Sequence, residues 1–162
     1  MAAQTKMDVG GIVRPAGQLD TSNALSPHGG RLGDRAAAHL LRRAGFGGTP
    51  ADVGRAAAMT ATQAVASLLA LTPASAVAPP PELVDADRAK RRAAVFTLQL
   101  WWLDRMLTTP SPLQEKMTLY FHGHFTSRAT PRFPLITYHQ NALFRQYALG
   151  NLRELTRQVS KD

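Results

Sequence analysis

SPLQEKMTLYFHGHFTS, Ser111 to Ser127, decides how the rest of the chain is read. Ser111, a proline at the first helical position and Gln114 three residues on form a capping-box start. Leu113, Met117, Tyr120, Phe121 and His124 then recur on one side, which predicts a helix packed through a tight antiparallel turn at Thr108-Thr109-Pro110 against the segment before it. That earlier segment, about Asp85 to Leu107, is basic at first. It then becomes apolar almost all round through Phe96, Leu98, Leu100, Trp101, Trp102, Leu103 and Leu107, so it is expected to be central to the core, with both tryptophans as helix-contact aromatics.

Outward from this hairpin the helical signals continue. Asp34 is expected to cap a short helix carrying Ala37, Leu40, Leu41 and Ala44, with the glycines of Gly45 to Gly48 stopping it. Thr49-Pro50-Ala51-Asp52 and Thr60-Ala61-Thr62-Gln63 are further starts. Pro134 opens a helix with Ile136, Leu143, Phe144 and Tyr147 on its apolar face, Gly150 closes it, and Asn151 to Glu154 opens a last one running to Asp162. No strand shows convincing alternation and no repeat is visible. The expectation is an all-α, irregular bundle of about six helices, a fragment of a larger helical protein. Residues 1–33 read as a flexible N-terminal arm, 34–162 as the helical domain, and the Pro-rich stretch 72–81 as a linker, because proline lacks the amide donor a helix needs.

Composition narrows the chemistry. At 162 residues and 44% hydrophobic the chain can build one modest core. Zero cysteines exclude a disulfide framework, a thiolate nucleophile and cysteine-ligated metal. No apolar run is long enough to span a bilayer, and the first twenty residues lack a secretory pattern, so either the chain stays in the cytosol or its true start lies elsewhere. The net charge of +8 favours acidic partners. Only Arg88, Lys90, Arg91 and Arg92 cluster, however, and without an aromatic stacking pattern a solvated helix face outweighs nucleic-acid binding.

Chemistry concentrates at Glu115, His122 and His124. On a regular helix two residues turn about 200°, so the His-x-His rings diverge. A frayed backbone at Gly123 would let alternate side chains share an ion. With a continuous helix, Glu115 and His122, seven residues apart, share a stripe as an acid–base pair, while His124 faces the core with Phe121. A divalent metal needs three or four ligands, and the candidates are His122, His124 and His139, with Glu115. Arg128 and Arg145, together with Arg132, offer guanidinium forks for a carboxylate or phosphate cofactor. No Gly-x-Ser-x-Gly elbow is present, and the Gly45–Gly47 pair follows a helix, not the strand a dinucleotide loop requires.

Four ordered blocks, HLLRRAGFGGTPADV (His39 to Val53), WWLDRML (Trp101 to Leu107), SPLQEKMTLYFHGHF and QNALFRQYALGNLREL (Gln140 to Leu155), resemble the bacterial family catalogued as domain of unknown function 1800. The resemblance runs from about residue 34 onward. It implies that the N-terminal third or so of a longer protein is present; members of that family are often exported and often encoded beside a sulfatase-like protein, which implies an extracytoplasmic role and a co-encoded sulfatase-like partner. It implies no activity. Three functional readings stay open: a metal-assisted hydrolytic or other metalloenzyme site at the Glu/His cluster, a non-catalytic helical interaction module with structural histidines, and polyanion binding.

Overall fold

The computed structural model describes residues 29–70, 78–84, 87, 89–125 and 133–161. Eight helices account for the secondary structure there, and no strand occurs among the described residues: α1 Gly33–Ala44, α2 Pro50–Ala57, α3 Ala61–Leu69, α4 Pro81–Val84, α5 Arg91–Thr108, α6 Pro112–His124, α7 Pro134–Tyr147 and α8 Leu152–Val159. The all-α expectation holds. The helix count exceeds the expected six partly through α4, a single turn. The proposed N-terminal arm falls almost wholly outside the described residues, as does most of the Pro-rich stretch.

Local chemistry explains most boundaries. Thr49 and Thr60 each accept a hydrogen bond from the third helical amide, while Asp52 and Gln63 reach back to the cap amides, closing two reciprocal boxes. The two Thr49 hydrogen bonds, helped by Arg55, hold the Asp52 carboxyl below its usual range. Asn151 caps α8 by accepting from the amides of Arg153 and Glu154. Gly47, at φ 104°, supplies the left-handed residue that turns the chain after α1.

Three expected features differ. Asp34 does not cap α1; Leu32 does, without a side-chain bond, and Asp34 lies in the first turn, where a carboxylate meets the positive helix end. The long basic-then-apolar helix starts at Arg91 instead of Asp85. Ser111 makes no capping bond to α6. Its expected partner Gln114 is buried and donates from Nε2 to the Arg145 backbone carbonyl on α7 at 3.1 Å, so a tertiary bond replaces the local one.

α1 and α2 form one closely packed pair, and Gly45 lets α1 approach α6: a Cβ there would stand 3.0 Å from Pro112 Cβ. α6 packs more extensively on α7 than on α5, and α8 covers α7. One apolar cluster joins Phe121, Phe144 and Leu155; another joins Leu83, Leu98 and Tyr138 with Trp101 against it. The hairpin of α5 and α6 is therefore one wall of the core and not its centre.

α5 itself is two-sided. Its inward face buries Ala94 and Leu98, while Phe96, Leu100, Leu103 and Leu107 are 61, 50, 53 and 73% exposed. This corrects the expectation of all-round burial. α6 is also turned from its expected orientation: Gln114, Glu115, Thr118 and Phe121 are buried, whereas Tyr120 and His124 are exposed. The rotation of α6 follows from a buried polar group at the point where α5, α6 and α7 meet.

Candidate functional site

Glu115 stands in the first turn of α6 with 0% exposure. A buried carboxylate is stable only when its charge and lone pairs are matched, and here they are. Oε1 accepts from Arg105 Nε of α5 at 2.8 Å and from Arg145 Nε of α7 at 2.6 Å. Oε2 accepts from Arg145 Nη2 at 3.1 Å and from Trp102 Nε1 of α5 at 3.2 Å. These four bonds use the roughly four lone-pair sites a carboxylate possesses. Burial pushes the Glu115 pKa up, but the hydrogen bonds and charges of Arg145 and Arg105 outweigh it and hold the group below its ordinary range.

The arginines are fixed in turn. Arg145, itself buried, forks onto Glu115 in the bidentate manner, donates from Nη2 to Asn141 Oδ1 at 2.6 Å, and lies 5.6 Å over the Trp101 ring. Asn141 Nδ2 finds no hydrogen-bond partner among the described residues. Arg105 is mostly buried, its side chain 17% exposed. The cluster thus carries one negative and two positive charges and ties three helices together.

The histidines stand apart from this carboxylate. α6 stays helical through His124, so Gly123 does not fray the backbone and the two rings diverge. His122 is half-buried, edge-on to Trp102 at 5.1 Å and to Phe144 at 6.5 Å between ring centroids, and burial lowers its pKa. It has no hydrogen bond or ion pair to Glu115 among the described residues; what the two share is Trp102, which gives its N–H to the carboxylate and its ring to the imidazole. His124 is exposed, stacked on Tyr120 at 5.7 Å, instead of facing the core. His139 is exposed on α7 beside Tyr138.

Among the described residues no three His, Cys, Asp or Glu side chains converge to hold a metal. Of the guanidinium pair expected to grip an anionic cofactor, Arg145 is committed to Glu115, and Arg128 lies outside the described residues, as does Arg132. The structure therefore brings Glu115 to Arg145 and leaves His122, His124 and His139 facing different neighbours.

Sequence reasoning missed Arg105, Trp102, Asn141 and Gln114. One signal pointed to Arg105. It and Glu115 flank the Pro110 turn symmetrically, five residues to either side, so an antiparallel hairpin brings them face to face. Asn141 and Arg145 are four apart on one helix, a spacing that favours contact. Nothing local announces that Arg145, thirty residues from Glu115, supplies the fork.

The family described as protein of unknown function (DUF1800) matches residues 39–162. No curated protein and no solved structure matches the chain. The chain belongs to the DUF1800 family.

Proposed function

We propose that this member of the DUF1800 family is a non-catalytic helical docking module, pinned from within by the Glu115 clamp and offering the outer face of α5 to a partner helix. The observation that carries the reading is the stripe of Phe96, Leu100, Leu103 and Leu107, all at least half exposed. Their spacing of four, three and four is the d-a-d-a seam of a two-stranded coiled coil. A continuous apolar stripe of this kind marks an interaction surface more often than single exposed leucines do. The clamp supports the same reading, because a carboxylate whose lone pairs are all taken has none to give a metal or a proton in transit.

A seam of this kind can meet its own copy across a two-fold axis, which makes the test direct. Sedimentation equilibrium of the chain should show concentration-dependent self-association that a Leu100→Glu/Leu103→Glu variant abolishes. Because both side chains are exposed, unfolding stability should change by only about 0.5 kcal/mol. A monomer throughout the micromolar range, for both proteins, overturns self-association through this seam, and the docking reading falls if a co-purifying partner is also unaffected by the variant. The sulfatase-like partner implied by the family resemblance is a further occupant for this seam, and its co-purification should be lost in the same variant.

A second reading, metal-assisted hydrolysis at Glu115 and His122 with His124 and His139, is favoured by one observation. Burial lowers the His122 pKa and so favours the neutral imidazole, the form that binds a metal. This reading requires further ligands from residues outside those described. Stoichiometric metal in the purified protein, lost in a His122→Ala/His124→Ala variant, would establish it over the docking reading.

A further inference from the structure

We propose that the cleft between α1 and α3 is a docking site for an acidic amphipathic helix of a partner protein. The cleft encloses roughly 930 Å³. One rim is a row on α1 formed by the guanidinium groups of Arg35, Arg42 and Arg43 with the imidazole of His39 among them. Positions 35, 39 and 42 follow one another at about one helical turn, so the row runs some 10 Å along the axis. The floor is apolar, from Leu32, Leu40 and Val65, the last 45% exposed. Among the described residues no acidic side chain lines the cleft and no ion pair engages any of the three arginines.

The fold does not account for this row. Arg42 and Arg43 suit the negative C-terminal end of α1, but Arg35 stands in the first turn, where a cation opposes the helix dipole. An unpaired cation row beside an apolar floor is complementary to a helix with carboxylates one turn apart on one face and small apolar residues on the next. A single-stranded nucleic acid would be met by stacking aromatics, and none lines the floor among the described residues. A bilayer surface is too flat to enter a recess between two helices. The cleft shares no lining residue with the α5 seam, so either surface can fail its test alone.

The test uses the full chain and a labelled peptide of about 16 residues with glutamates at i, i+4 and i+7 and leucine and alanine on the adjoining face, read by fluorescence anisotropy. A peptide of scrambled order and a single-stranded oligonucleotide serve as comparisons. The helical peptide should bind best. An Arg35→Glu/Arg42→Glu variant should weaken it by about tenfold or more, Val65→Asp should weaken it several-fold, and added salt should weaken it further. All three substituted residues lie at the surface, and circular dichroism verifies that the helices remain. Equal binding of the scrambled peptide, no effect of the charge reversal, or oligonucleotide binding that is tighter than peptide binding and indifferent to Val65→Asp each overturns the proposal.

Discussion

The two faces of α5 reverse the usual distribution of polarity. Its inward face presents Arg105 and the Trp102 N–H to a fully buried carboxylate, while its outward face exposes Phe96, Leu100, Leu103 and Leu107. A buried ion cluster gains little over a well-packed apolar one, yet losing a single member is expensive because the others stay charged and desolvated. An exposed apolar face gains nothing until something covers it. The contrast separates what holds the bundle together from what the described residues leave uncovered.

The largest expected effect sharpens the inward half of that contrast. Arg145→Met and Glu115→Gln each leave uncompensated charge at the meeting point of three helices and should cost about 3–5 kcal/mol in urea unfolding. A cost near zero for both would break the comparison by showing that water reaches the cluster. The next test sets one leucine against another on the same helix. Leu98→Ala, at a buried position, should cost about 2–5 kcal/mol, whereas Leu103→Ala should stay within about 0.5 kcal/mol. Equal costs would mean that the outward face is already covered.

Acid titration should give two smaller, separable losses. His122 has a folded pKa lowered from 6.5 by burial, so the folded state binds fewer protons than the unfolded one between that lowered value and 6.5. Its contribution is complete above 6.5 and declines as pH falls through the lowered value. Glu115 is lowered from 4.5, so its contribution is present above 4.5 and is lost as pH falls through its folded value. Urea midpoints measured across this range should show both steps; His122→Phe should remove the upper step alone. The smallest effect is a control on neither face of α5: Thr60→Ala removes the α3 cap and should cost about 1 kcal/mol.

What could be read from the sequence was what is local. The Thr49 and Thr60 boxes and the Asn151 cap depend on residues within three positions of each other, and all formed. The Ser111 box did not, because Gln114 had a better partner across the fold in the Arg145 carbonyl. Periodicity showed that α5 is apolar nearly all round, but burial depends on neighbours, and among the described residues these cover only one side. Glu115 was recognisable as the unusual acid of α6. Its partners were not, since an acid and a histidine on one stripe look like a pair until arginines from two other helices arrive.

If Glu115 is a clamp for the helices and not a reagent, its carboxylate must be energetically coupled to Arg145. A double-mutant cycle of Glu115→Gln and Arg145→Met, measured by urea unfolding, tests this most directly. The expected result is strong coupling, about 1.5–3 kcal/mol between the two positions. Additivity to within about 0.5 kcal/mol, with each single variant nearly as stable as the parent chain, would contradict it.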